Sequence, residues 1–261
     1  MKNLTKTNLL FFFVCFFSVQ IVAQNFPEVI AVREIKLKAE TNPVEFQNSM
    51  KELGAGLDKY GKGISAQLWY GDRGERKDQY LHTWIFELKA NRDYYYPTAD
   101  AEEYSKMSAL YTEMEVTSDP VDPRVENSTS YTDYVVLGFN DMDSPKWGDI
   151  LAFREIEIKS GQEKFFEAFV TDELHPMTQQ HIDGMYSYVL KGDRGVRKGK
   201  YLLVYCFKSY EVRNRYFPKE GEDESEAYAE AVKDLSGLNA QLQAFMIEGS
   251  DDNYTDYLIV R

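Results

Sequence analysis

Between residues 32 and 38 apolar and polar side chains alternate: Ile35 and Leu37 interleave with Glu34 and Lys36. A period of two predicts a strand with one face covered. The period then lengthens. Phe46, Met50, Leu53, Leu57 and Tyr60 recur at steps of four and three, which predicts a helix. Asn42 caps it, Pro43 takes the first turn and Glu45 completes a capping box. Two more strand-like runs, 64–70 and 80–88, flank Gly71-Asp-Arg-Gly74 and predict a hairpin. A second helix carries Tyr104, Met107, Tyr111 and Met114, and a last strand holds Tyr134 and Val136. The order is β-α-β-β-α-β.

The same order is then written again. Shifting the chain by 121 positions aligns Ala31-Val-Arg-Glu-Ile with Ala152-Phe-Arg-Glu-Ile. It also aligns Gly71-Asp-Arg-Gly-Glu-Arg-Lys77 with Gly192-Asp-Arg-Gly-Val-Arg-Lys198, and Arg92, Tyr95 and Pro97 with Arg213, Tyr216 and Pro218. Over 31–97, 20 of 67 positions are identical without a gap; unrelated stretches of average composition would share roughly 4. Thr132-Asp-Tyr and Thr255-Asp-Tyr match at a shift of 123. The chain is a tandem duplication. In the second copy Ser160 and Glu163 are expected to form the helix cap, and Tyr228, Val232 and Leu235 to carry the second helix. The boundaries read 25–140 for unit 1 and 151–261 for unit 2. The turn-forming stretch 141–150 is the linker. Its Asp141 and Asp143 begin like a calcium loop, but Pro145 and Trp147 occupy ligand positions and exclude it.

A β-α-β-β-α-β unit is ferredoxin-like: an antiparallel sheet with two helices on one face. Its other face needs a cover. The second copy supplies it, so the expected α+β architecture is two sheets closed face to face into a pseudo-dimeric antiparallel barrel with the helices outside. That predicts a monomer with an internal pseudo-dimer.

The first 24 residues read as an export signal. Lys2 and Lys6 precede Leu9–Phe17, nine unbroken apolar residues, with cleavage expected after Ala23 or Gln24. Nine residues do not span a bilayer, which needs about 20. The expected location is therefore periplasmic or secreted, with no membrane association after cleavage. The leader takes one of the two cysteines with it, so Cys206 cannot pair within the chain and is expected as a buried, inert thiol. The chain of 261 residues is 43% hydrophobic and 15% aromatic, a globular profile. Its net charge of −13 argues against nucleic acid and against anionic membranes as partners.

Element order, unit length and duplication resemble the dimeric α+β barrel superfamily, in particular domains of the antibiotic-biosynthesis-monooxygenase type fused in tandem. The resemblance spans nearly the whole chain after the leader, but it is architectural. It implies a small planar or cyclic organic ligand held between the two sheets. It also implies the activities of that superfamily as alternatives: an oxygenase, with haem as the possible cofactor, or proton transfer on a sugar or lactone. A protein-interaction module with a packed barrel is the remaining alternative.

Candidate residues follow from the faces of the strands. Val32, Glu34, Gln67, Trp69, Glu155 and Tyr188 alternate away from the helices and should point into the barrel. If Tyr80, His82, Trp84 and Phe86 turn inward too, with Tyr201 and Tyr205 as repeat partners, the interior is aromatic with sparse polar groups, the composition of a ligand pocket. The ligand-binding set is then Gln67, Trp69, Trp84, Glu155, Tyr188 and Tyr205, with Arg73 and Arg194 on the hairpin turns recognising an anionic group. None of the three histidines matches its repeat partner: His82 aligns with Leu203, His175 with Gly54 and His181 with Tyr60. Histidine chemistry would therefore belong to one half. His82, as general base or axial ligand, pairs with Glu34 as the candidate catalytic couple. His175 and His181, six apart, lack the spacing of a helical zinc pair, and no metal site is expected.

Overall fold

The computed structural model describes residues 27–99, 104–116, 122–126, 131–137, 148–220 and 225–261. The expected export leader and most of the expected 141–150 linker lie outside the described residues.

In unit 1, β1 (Val29–Ile35) leads to α1 (Pro43–Tyr60), then to the hairpin β2 (Ile64–Gly74) and β3 (Tyr80–Phe86). Two helices follow, α2 (Lys89–Tyr95) and α3 (Ser105–Glu113), and then β4 (Tyr131–Leu137). In unit 2, β5 (Ile150–Ile156) precedes α4 (Glu163–Phe169), a π-helical turn (Val170–Leu174) and α5 (His175–His181). Next come β6 (Met185–Gly195), β7 (Tyr201–Phe207), α6 (Tyr210–Tyr216), α7 (Glu226–Val232), α8 (Ser236–Phe245) and β8 (Tyr254–Ile259). The short α2 and α6 were not expected from the pattern: one turn or two of amphipathic sequence is too short to show a period. They carry the repeated Arg-x-x-Tyr signature.

The strands are antiparallel and close in the order β1-β3-β2-β8-β5-β7-β6-β4. Each unit contributes four in ferredoxin-like order, and the β2·β8 and β4·β6 ladders join the units. Closure removes every free sheet edge. The Gly-Asp-Arg-Gly segments, expected as hairpin turns, are the ends of β2 and β6, with the turns at 75–78 and 196–199, and both joins shift register within them. Gly74 and Gly195 have φ of 88° and 93°, and a Cβ there would collide with the carbonyl oxygens of Tyr254 and Tyr131 on the strand across the join. Glycine is needed for both the left-handed backbone and the close approach.

Asn42 caps α1 as expected, its Oδ1 accepting from the Val44 and Glu45 amides at 2.9 and 3.4 Å. The second copy differs: α4 begins after Gln162, without a side-chain cap, and Ser160 lies outside it. The reason is register. Phe46 and Met50 correspond to Phe166 and Val170 at a shift of 120, but Leu53 to Leu174 at 121. The helix of unit 2 starts one residue early, and the π turn absorbs the extra residue.

Helices cover the outer face of each half-sheet, burying Phe46, Met50, Leu53 and Leu57 in unit 1 and Phe166, Phe169, Val170 and Leu174 in unit 2. A separate cluster fills the barrel: Ile30, Trp69, Leu81, Tyr134, Leu151, Tyr188, Val204 and Tyr257 among others. Cys206 belongs to it, 1% exposed, and burial pushes its thiol up to about 12.

Candidate functional site

The repeated signatures find each other across the units. Arg194, from the unit 2 hairpin, donates to the Tyr96 carbonyl (2.7 Å) and to Asp93 (2.8 Å) behind α2. Asp193 accepts from Arg92 at 2.6 Å. The mirror set is complete: Arg73 donates to the Phe217 carbonyl (2.9 Å) and Asn214 (3.1 Å), and Asp72 accepts from Arg213 at 3.0 Å. Arg92 and Arg213 are each 1% exposed; Arg92 also pairs with Asp133 (3.5 Å) and Asp93 (2.9 Å), and Arg213 with Asp256 (2.7 Å) while its Nε donates to Asn214 (2.9 Å). The Gly-Asp-Arg-Gly segments therefore lock the two halves together. Arg73 and Arg194 spend their guanidinium hydrogen bonds on backbone carbonyls and side chains of the other unit. The signal was in the sequence, since both signatures are duplicated, but which signature meets which depends on barrel closure.

A second symmetric set closes one end of the barrel. Arg76 reaches Glu34 (3.1 Å) and Glu155 (2.8 Å), and Arg197 reaches the same two carboxylates at 2.9 and 2.5 Å. Each glutamate is shared by both arginines. Glu34 and Glu155 are thus held by charge-assisted hydrogen bonds.

The other expected barrel residues are inside and packed. Trp69 is fully buried, its indole N–H donating to Thr83 Oγ1 at 3.1 Å, and Tyr188 is 1% exposed. Gln67 Oε1 is buried without a hydrogen-bond partner among the described residues. These side chains occupy the space between the sheets, and the cavities lie elsewhere. The conditional placement of strand three is reversed. β3 turns Tyr80, His82, Trp84 and Phe86 toward the helices and Leu81, Thr83 and Ile85 the other way. Both faces of β3 are apolar, so alternation could not orient it. His82 and Glu34 consequently lie on opposite faces of the sheet: the residue facing His82 on β1 is Arg33.

His82 instead lines a cavity of about 220 Å³ between the outer face of β1, β3 and β4 and the α2–α3 segment. Trp84, Tyr96, Tyr104 and Tyr111 form its aromatic wall, and Arg33, Asp133 and Arg194 its polar edge. The wall is a chain of edge contacts: His82 to Trp84 at 5.3 Å, Trp84 to Tyr96 at 6.3 Å, Tyr96 to Tyr104 at 4.7 Å. The hydroxyls of Tyr104 and Tyr131 both donate to the Ala99 carbonyl, at 3.2 and 2.9 Å, and pin the rim.

His82 is 2% exposed and makes no hydrogen bond among the described residues. Burial, assisted by the neighbouring Arg33 charge, holds its pKa down to about 3. The imidazole is neutral at physiological pH and offers one N–H donor and one nitrogen acceptor. Burial raises the Asp133 carboxyl above its ordinary range, opposed by the charges of Arg92 and Arg194.

Unit 2 builds the same corner, in which Tyr205 for Trp84 and Phe217 for Tyr96 change residue type, with Leu203 at the place of His82. Ala152, Arg154, Tyr205, Phe207, Phe217, Tyr254 and Asp256 correspond to Ala31, Arg33, Trp84, Phe86, Tyr96, Tyr131 and Asp133, and Arg73 to Arg194; the cavity there is about 100 Å³. Among the described residues no group of three or more His, Cys, Asp or Glu could hold a metal ion. His175 and His181 are the first and last residues of α5.

A haem, the possible cofactor that the resemblance implies, does not fit the His82 cavity. About 220 Å³ falls below the ~300–1,000 Å³ of pockets for drug-sized ligands, and Trp84 packs beside the only imidazole in that cavity.

No family model matches the sequence, and no curated relative does. Solved structures do match. A "putative monooxygenase" from Fusobacterium nucleatum subsp. nucleatum superposes with a TM-score of 0.53 at 10% identity, over 91% of this chain and 94% of that one. A "putative monooxygenase" from Lactobacillus acidophilus NCFM gives 0.51 at 10% identity, over 89% and 94%. A "putative chlorite dismutase" gives 0.51 at 10% identity, over 90% and 96%. The chain has the dimeric α+β barrel fold, with both halves of the barrel in one polypeptide. At such identity the likeness is one of fold, and function has to be argued from the site.

Proposed function

We propose that this is an exported small-molecule-binding barrel whose ligand occupies the unit 1 cavity beneath α2 and α3 rather than the space between the sheets. The observation that carries this reading is His82: a neutral, buried imidazole with no hydrogen bond among the described residues, facing an aromatic cavity. Buried polar groups without partners are costly and rare. A ligand hydroxyl can either accept from the ring N–H or donate to the other ring nitrogen. The aromatic wall favours a flat ring, and the volume limits the ligand to one ring with small substituents. Export rests on the basic, then apolar, leader.

Binding is favoured over general-base catalysis by the same residue. A pKa of about 3 lies far from the neutral range in which a histidine base works well, and Glu34 is on the other face.

The test is calorimetric titration of the protein with a panel of monocyclic phenols, alone and after His82→Leu. The tightest phenol should lose about tenfold or more in affinity, since a site that hydrogen-bonds a hydroxyl discriminates strongly for it. Ala31→Leu, which fills the same cavity, should abolish binding. Equal affinity in all three proteins would sink the proposal, as would the absence of binding by any phenol.

A further inference from the structure

The unit 2 helix that follows β5 does not sit on its sheet as α1 does in unit 1. Gly54, in the middle of α1, lies so close to β2 that a Cβ there would be 3.2 Å from the Ala66 carbonyl oxygen. The residue at the same place in unit 2 is His175, 1% exposed, with the backbone of Leu137 and Ser187 beside its ring. An imidazole needs room where a glycine needs none. His175 follows directly on the π turn, the one-residue insertion that unit 1 lacks. Such insertions are rare and lie frequently at functional sites.

Beyond His175 a cavity of about 310 Å³ opens between β6 and β7 on one side and α5, α7 and α8 on the other. It is the largest of the three cavities described and lies within the range of ligand pockets. Its walls are mainly aliphatic, with Leu174, Ile182, Met185, Leu203, Val232 and Leu242, and Tyr205 and Tyr228 are their two aromatic members. Well-packed interiors leave few voids larger than a water molecule. Two of its hydroxyls are turned to each other and to the backbone, Ser187 donating to Thr178 Oγ1 at 2.9 Å and Thr178 to the Leu174 carbonyl at 3.0 Å. Polar groups gather at one edge, where Lys233, Ser236 and Asn239 lie at the junction of α7 and α8. Lys233 is half exposed and pairs with Glu230 at the surface.

We propose that this cavity is a second binding site, for a medium-chain aliphatic carboxylate. The hydrocarbon chain lies on the leucine and valine walls, and the carboxylate meets Lys233 and Asn239 at the open edge. Mainly aliphatic walls recognise a chain by displacing water from it, and Lys233 at the edge sets its direction. The site shares no lining residue with the unit 1 cavity and stands independently of the phenol reading.

The experiment is calorimetric titration with octanoate, decanoate and palmitate, on the protein itself and on Ala229→Trp, Ser187→Leu and His82→Leu. The expected result is saturable binding strongest at decanoate. Both filling variants should lose about tenfold or more, roughly 1.4 kcal/mol or more by the affinity relation, and His82→Leu should bind as the parent does. Thermal unfolding of each variant shows whether it is folded, and either filling variant suffices. Absence of decanoate binding by the parent overturns the proposal. So does unchanged binding in a folded filling variant, and so does a loss in His82→Leu, which would put the chain in the unit 1 cavity.

Discussion

Two copies of one unit have kept their frame and exchanged their contents. Arg92 and Arg213, Asp193 and Asp72, Arg194 and Arg73 make equivalent contacts across the joins, and Glu34, Glu155, Arg76 and Arg197 close the barrel end with the same symmetry. The faces beneath the helices are not equivalent. Unit 1 presses α1 onto β2 through Gly54 and leaves an aromatic, histidine-lined cavity on the β1–β3–β4 side. Unit 2 seats His175 after a π turn and opens an aliphatic cavity on the β6–β7 side. The barrel needs its two halves to match only where they touch. Beneath the helices each half packs against its own residues, and a substitution in one has no partner to preserve in the other.

The largest effect should come from the matched part. Arg92→Ala leaves buried Asp133 without its arginine partner, with Asp193 kept by Lys89 and Asp93 by Arg194, and should cost about 3–5 kcal/mol in urea denaturation. Arg213→Ala should cost the same. A clear difference between them would break the energetic symmetry that the geometry shows.

Next come exchanges between the unmatched parts. Gly54→His places the unit 2 residue where α1 touches β2. Overpacking there should destabilise by about 3 kcal/mol, the upper end of the usual range. If the variant is as stable as the parent, close helix–sheet contact does not separate the two units.

Acid should act through one buried histidine in each unit. The His82 pKa is about 3 in the fold against an ordinary 6.5. Below pH 6.5 the unfolded chain takes up a proton that the folded chain refuses. Stability is therefore full above about pH 6.5 and is lost as pH falls toward 3, by about 2 kcal/mol at pH 5. His82→Leu, the unit 2 residue, should remove that share of the difference between pH 8 and pH 5. The share due to His175, whose pKa is lowered to about 4 by burial, should remain. An unchanged pH dependence would show that His82 is not buried as neutral imidazole.

The smallest effect is inside the barrel. Thr83→Val introduces the residue that unit 2 carries at Val204 and removes the acceptor of the Trp69 indole N–H. A loss of about 1 kcal/mol is expected from one buried hydrogen bond, read as a shift of the unfolding midpoint. No shift would mean that the indole finds another acceptor.

The duplication, the order of elements, the cap at Asn42 and the inward faces of β1 and β2 were legible along the chain. They depend on local periods and on similarity between the two copies, and neither requires knowing what lies across the sheet. The orientation of β3 was not legible, because Tyr80 to Phe86 is apolar on both faces and alternation carries no sign there. That one undetermined face moved His82 and Trp84 from the barrel interior to a cavity beneath the helices, and parted His82 from Glu34. The lock between the Gly-Asp-Arg-Gly segments and the Arg-x-x-Tyr helices was likewise beyond the sequence. Its partners are about a hundred residues apart, as in Arg194 with Tyr96 and Arg92 with Asp193. A repeat shows that a motif is kept twice, but only closure of the barrel determines which copy it faces. The sequence by itself determined the two units and their strands. The tertiary structure decided where space was left, because a cavity is set by what packs on both sides of it, and those sides come from distant parts of the chain.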